Sequence, residues 1–300
     1  MGRLDLRERI KDGVFLLDGA MGTQLMARKI EVGKCNDVLN IESPEIINEI
    51  QNSYSQAGSD AIITNTFGAN KYALGRYGLA DKVEELNKAG VEIARRAAGE
   101  EKYVLGDIGP SGDFLQPLGD LNPAELRDAF AVQAKSLLDA GADGFIIETM
   151  TAIEEAVIAV EAVKSVSADL PVFVSMAFDK AGEDFRTMMG VDVDSAVSKI
   201  VPLGVDAIGF NCGKMILRDY VGLAERFVLA VKALGKDVVI LAEPNAGIPE
   251  LIDDQAVYKV KGEEFAATAE KIHLAGVNIL GGCCGTGPEH IEALAKKLKN

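Results

Sequence analysis

Eight short apolar runs, each leading into polar or glycine-rich residues, alternate with helix-like segments along this chain, and that alternation constrains its fold more than any other feature. In order they are Val14-Phe-Leu-Leu-Asp18, Asp60-Ala-Ile-Ile-Thr64-Asn65, Tyr103-Val-Leu-Gly-Asp107, Gly144-Phe-Ile-Ile-Glu148, Val172-Phe-Val-Ser-Met-Ala-Phe178, Asp206-Ala-Ile-Gly-Phe-Asn-Cys212, Val238-Val-Ile-Leu-Ala-Glu243 and Val277-Asn-Ile-Leu280. Apolar residues at helical spacing mark segments 3–12, 44–57, 80–100, 123–140, 152–167, 192–201, 217–234 and 262–275, and Pro288 opens a last helix at its first turn. Near-continuous β-branched runs suit parallel strands covered on both faces. Eight such units without a composition break predict an α/β fold, a single-domain (β/α)8 TIM barrel over residues 1–300. A doubly wound sheet is disfavoured, because no Gly-x-Gly-x-x-Gly follows the first run.

Composition narrows the function classes. A formal net charge of −15 without a basic stripe argues against nucleic-acid binding. No apolar run is long enough to span a bilayer, and the N-terminus lacks the apolar stretch of a signal peptide. The four cysteines, at 35, 212, 283 and 284, do not form the pattern of a secreted disulfide framework. A cytoplasmic protein with reduced thiols is expected, and a 283–284 disulfide would be strained.

In a barrel the carboxyl ends of the strands share one face, where active sites lie. Asp18, Thr64, Asn65, Asp107, Glu148, Cys212, Glu243, Asn245, Cys283 and Cys284 all fall there. Cys283 and Cys284 sit beyond the last strand among glycines, where neighbouring side chains are free to converge. Strands six and eight are two apart, so Cys212 can join them, and three thiolates at one point suggest zinc. Cys35, on the same face, would close the site as a fourth ligand. His273 in mid-helix and His290 in the first turn of the last helix read as local packing or hydrogen-bonding residues. An open three-thiolate site carries net negative charge, so it is better suited to holding an incoming thiol as thiolate than to making hydroxide. That points to thiol alkylation. The rival readings are a phosphate site at the last glycine turn, with incidental cysteines, and a closed structural zinc module.

Taken together, Asp18-Gly-Ala-Met-Gly-Thr, Thr64-Asn-Thr-Phe-Gly-Ala, Gly106-Asp-Ile-Gly-Pro, Glu148-Thr, Gly209-Phe-Asn-Cys, Glu243-Pro-Asn-Ala-Gly and Gly281-Gly-Cys-Cys-Gly-Thr resemble the homocysteine S-methyltransferases. The version seen here is most similar to the homocysteine-binding module of the cobalamin-dependent branch. The resemblance implies zinc on Cys212, Cys283 and Cys284, with the homocysteine sulfur as fourth ligand. It places Asp18 and Glu148 at the substrate amino group, with Thr64, Asn65 and Asn245 lining the pocket, and glycine-loop N–H groups offer themselves to the substrate carboxylate. It further implies methionine as product and a methyl group from methylcobalamin on a corrinoid protein or module; S-methylmethionine or betaine is the alternative donor. The chain is expected to be either a fragment or a stand-alone subunit. It departs from the family pattern after Cys212 and after strand five, where Lys214 or Arg186 could hold an anionic group of a different thiol acceptor.

Overall fold

The computed structural model describes residues 3–30, 35–252 and 255–299. Its strands, in chain order, are β1 (Phe15–Leu16), β2 (Ala61–Ile63), β3 (Tyr103–Ile108), β4 (Gly144–Met150), β5 (Val172–Met176), a hairpin of β6 (Phe178–Ala181) and β7 (Asp184–Thr187), β8 (Ala207–Cys212), β9 (Val239–Pro244), a second hairpin of β10 (Glu250–Ile252) and β11 (Gln255–Val257), and β12 (Ile279–Leu280). Eight of these form one parallel sheet in the order β1-β12-β9-β8-β5-β4-β3-β2, and helices wrap its outside. The expected barrel is what the chain forms.

The barrel closes between β1 and β2 through carboxylates rather than a ladder. The Asp60 N–H donates to Leu16 O (2.6 Å), while the Asp60 carboxylate accepts from the Leu16 N–H (2.7 Å). One turn higher, the Asp18 carboxylate accepts from the Ile63 N–H at 3.0 Å. Asp18 therefore has a structural task at this seam besides any role in the site.

Period-two alternation sorts the strand residues into two layers. Leu16, Ile62, Val104, Ile147, Val174, Ile208, Ile240 and Leu280 pack outward under the helices. Phe15, Ala61, Tyr103, Leu105, Ile146, Phe173, Ala207, Val239, Leu241 and Ile279 fill the interior, which Leu6 and Ile10 plug from below. Continuing the inward series up each strand reaches Asn65, Asp107, Glu148, Ser175, Asn211, Glu243 and Cys283. The barrel is thus apolar at its floor and polar at its mouth.

Several elements differ in extent from the sequence expectation. The helix expected over 3–12 is confined to Leu6–Arg9; Asp5 caps it, accepting from the Arg7 N–H at 2.9 Å, and Gly13 turns the chain with φ 72°. The two hairpins were not anticipated: their strands have three or four residues, and much of their surface is exposed.

Candidate active site

The thiols come together through two local departures from strand geometry. Cys283 continues the inward series of β12, and its loop is held to the end of β9: the Cys283 N–H donates to Pro244 O (3.0 Å) and the Ala246 N–H to Cys284 O (2.9 Å). Gly285, at φ 83°, leaves room for Tyr258, whose Cγ would lie 2.1 Å from a Cβ at that position. By alternation Cys212 would face outward beside Phe210. Its φ of 54° breaks the strand and turns the thiol into the mouth. Such a conformation costs a non-glycine residue about 1–3 kcal/mol and persists only where its surroundings enforce it. Here the Tyr220 hydroxyl donates to Cys212 O at 2.8 Å, and the Asn245 amide donates to Gly213 O at 2.6 Å.

Cys212 Sγ and Cys283 Sγ each lie 4.0 Å from Cys284 Sγ, and all three sulfurs fall within 4.8 Å of one another. A tetrahedral zinc with Zn–S bonds of about 2.3 Å separates its sulfurs by roughly 3.8 Å. The three thiols therefore fit a zinc ion with little movement. Hydrogen bonds from Cys283 and Cys284 hold the Cys212 thiol well below its ordinary range, so the cluster already favours one thiolate. Asn245 stands behind Cys212, its Nδ2 at 3.9 Å from that sulfur, and its buried Oδ1 has no partner among the described residues.

The thiols open into a cavity of about 490 Å3 that also exposes Asp18, Asp107, Glu148 and Glu243. All four carboxyls are raised, first by burial: Glu148 to about 7, and the other three well above the usual carboxylate range. Their mutual repulsion adds to this for Asp18, Asp107 and Glu243. Asp107 and Glu148 are neighbours in this group, and the Glu148 charge adds to the rise at Asp107. Asp107 Oδ1 and Glu243 Oε2 are buried without partners among the described residues. Among the described lining residues Arg76 is the one basic side chain, and its guanidinium is held by Asp113 (3.0 Å) and Ser111 O (2.8 Å). Among the described residues no free cation faces these buried carboxyls, and an ammonium group would complement them.

The residues singled out from sequence fall into three sets. Cys212, Cys283, Cys284, Asp18 and Glu148 meet in the cavity. Thr64 and Asn65 line it too, but their polar groups are occupied. Thr64 Oγ1 accepts from the Asp107 N–H (2.9 Å), and Asn65 Nδ2 donates to Asn36 O (2.9 Å) and Asn40 Oδ1 (3.0 Å). Asn245, expected to line the pocket, stands behind the thiols, with its Nδ2 3.9 Å from Cys212 Sγ.

The remaining candidates are structural. Cys35 lines the cavity outside the thiol cluster; its Sγ donates to Asp37 Oδ2 at 3.5 Å, and burial raises it to about 11, which gives no support to a closed four-cysteine site. His290 is buried, with Nδ1 accepting from the Gly287 N–H (3.0 Å) and Nε2 facing Val260 O (3.0 Å), while His273 Nδ1 meets Val277 O (2.8 Å). Lys214 and Arg186 do not reach the cavity: both are exposed, and Arg186 pairs with Asp192 at 3.3 Å. Asn211 and Tyr258 were not singled out from sequence. The signal for Asn211 was its place immediately before Cys212; Tyr258 comes just after β11 with no sequence mark.

Comparison with known proteins agrees with this geometry. The homocysteine S-methyltransferase family profile matches residues 15–298. The chain is 35% identical over 315 residues to the methionine synthase of Mycobacterium tuberculosis and 36% identical over 310 residues to that of Mycobacterium leprae. These alignments cover 99% and 97% of this chain but 25% of each relative, so the chain spans about a quarter of their length. In fold it is similar to the metallated form of the homocysteine methyltransferase MmuM from Escherichia coli, with a TM-score of 0.79, 23% identity, and coverage of 98% of this chain and 100% of that one. The profile match runs through every strand that brings thiols and carboxyls to the mouth, and the chain belongs to the homocysteine S-methyltransferase family.

Proposed function

We propose that the chain binds homocysteine in the barrel mouth and methylates its sulfur to give methionine, taking the methyl group from methylcobalamin on a corrinoid protein or module. The observation that carries this reading is the juxtaposition, in one cavity, of a three-thiol cluster with buried carboxyls that no free cation faces among the described residues. Homocysteine has the complementary groups, a thiol and an ammonium a few bonds apart. Cys212, Cys283 and Cys284 would hold zinc, which when bound keeps a substrate thiol ionised at neutral pH.

The protein residues orient and shield. Asp18 and Glu148 accept the substrate ammonium, whose positive charge relieves the repulsion among the mouth carboxyls. Orientation of the sulfur toward the open mouth then lets it attack the donor's methyl carbon. The new S–C bond forms as the carbon–donor bond breaks, and the electron pair leaves on the donor.

A carrier of that donor needs a surface to dock on. Leu118, Met188 and Leu251, in the segments that follow β3, β7 and β9 (Leu251 within the β10–β11 hairpin), are 74%, 72% and 75% exposed. They form an apolar rim suited to a protein-borne donor.

Zinc-edge X-ray absorption with and without homocysteine tests the reading. The sulfur count rises from three to four if the substrate sulfur joins the cluster. Cys212→Ala abolishes zinc retention and turnover, while Cys35→Ala keeps both. An unchanged sulfur count, or a Cys212→Ala protein with wild-type turnover, overturns the mechanism.

A further inference from the structure

We propose that Asn211 is a positioning residue that fixes Glu148 for the substrate ammonium and so sets the preference for amino-bearing thiols. The inference rests on the reading above that Glu148 meets that ammonium. Asn211 is fully buried and occupies the uppermost inward position of β8, opposite Glu243 in the β8–β9 register. Its Oδ1 accepts from the Thr149 N–H and from Ser175 Oγ, both at 2.8 Å. Its Nδ2 donates to Glu148 Oε2 at 2.7 Å and to Thr149 Oγ1 at 2.6 Å. A backbone N–H can only donate, so the contact with Thr149 fixes which end of the amide is oxygen. The nitrogen then necessarily faces Glu148.

This arrangement saturates the amide and ties three strands together: Glu148 and Thr149 on β4, Ser175 on β5 and Asn211 itself on β8. It also holds the two strained residues of the mouth. Thr149, a β-branched residue at φ 59°, is gripped at both its N–H and its hydroxyl; Cys212, at φ 54°, is the next residue in the chain. One strained residue adjoins the ammonium carboxylate, and the other supplies a thiol. Without Asn211, Glu148 Oε2 loses its amide donor in a cavity that it shares with Asp18, Asp107 and Glu243. Nδ2 lies 3.9 Å from Cys283 Sγ, so the same amide spans the gap between the ammonium subsite and the thiols.

The test compares two ligands of the zinc-loaded full chain by calorimetry: homocysteine and 4-mercaptobutanoate, which is homocysteine without its amino group. Asn211→Asp keeps the shape and removes the donor. It is expected to lower homocysteine affinity about 10- to 100-fold, as for loss of a hydrogen bond to a charged group, while 4-mercaptobutanoate affinity changes less than about 3-fold. Ser175→Ala, which releases one hold on Oδ1, lowers the same ratio about 3-fold and serves if the first variant does not fold. Equal losses for both ligands, or an unchanged ratio, overturn the proposal for Asn211. Glu148→Gln separates the two readings: if it leaves the ratio unchanged, the ammonium assignment itself fails. If it collapses the ratio and the Asn211 and Ser175 variants do not, only the positioning role fails.

Discussion

Asp37 shows at the residue scale what burying a carboxyl beside this cavity does. It is 6% exposed, accepts from the Gly68 N–H at 2.9 Å and from Cys35 Sγ at 3.5 Å, and burial raises it from 3.8 to about 6. With the folded pKa above the unfolded one, both states are protonated below about pH 4 and the group is neutral in its effect. As pH rises toward 6, the unfolded chain ionises first and stability falls; above about 6 the loss is complete, at most roughly 3 kcal/mol. Asp37→Asn removes this term. Its urea midpoint should match that of the parent near pH 4, exceed it increasingly up to about pH 6, and hold a constant lead beyond. A lead independent of pH would mean that Asp37 is not buried as described. The residues legible from sequence were those whose type announces chemistry: paired cysteines and carboxyls at strand ends. Glu243 was among those carboxyls, but Asn211 needed something more, the knowledge that it shares the inward parity of Ala207, which a continuous apolar run does not display. Cys212 was found by type and would have been misplaced by parity, because its left-handed backbone reverses the direction that alternation assigns.

At the scale of elements, the weakest join is the seam between the first two strands. β1 is two residues long and pairs with β12 in the parallel ladder, while its contact with β2 depends on Asp60 and Asp18. Asp60 also pairs with Lys299 at 2.7 Å and Arg9 at 3.2 Å, so it ties both ends of the chain to the barrel floor. Asp60→Ala is expected to lower stability by about 2–4 kcal/mol, since it orphans the Leu16 N–H and takes the counter-ion from two partly buried cations, which keep their carbonyl partners. Asp60→Asn keeps an acceptor and should cost about half as much. Chemical denaturation of the metal-free protein at neutral pH measures both; equal losses would show that the ion pairs dominate and the strand acceptor is incidental. This seam was hidden in the sequence. Val14–Asp18 reads as a five-residue strand, whereas only Phe15–Leu16 is laddered and the next residues leave for the mouth. The hairpins of β6–β7 and β10–β11 were hidden for the opposite reason: their short, mixed segments carry little of the periodicity by which buried strands are read.

For the molecule as a whole, the eightfold repeat pointed to the barrel: a doubly wound sheet also covers parallel strands on both faces, and the strand count together with the missing Gly-x-Gly-x-x-Gly after the first strand decided between them. What a repeat cannot show is which surface of the barrel meets another macromolecule. Exposed apolar residues divide by location: Leu274 and Leu229, 78% and 57% exposed, lie on outer helices, while Leu118, Met188 and Leu251 stand around the mouth. Only the second group lies in segments that follow carboxyl ends of the strands, the face by which, on the proposed function, a methyl group arrives. Docking of a corrinoid carrier there would bury them, and loss of two such contacts is worth about 2–3 kcal/mol, or roughly 30- to 150-fold. The double variant Met188→Glu/Leu251→Glu should therefore reduce kcat/KM for the protein-borne donor by at least about 10-fold. Methylation from free methylcobalamin and the Kd for homocysteine should stay within about 2-fold, because neither side chain lines the cavity. Leu274→Glu, on the outer wall, is the matched control and should change none of the three. An equal fall with free and protein-borne donor would place these residues in the chemistry and remove the rim as a docking surface; no fall with either would send the carrier to another face of the barrel.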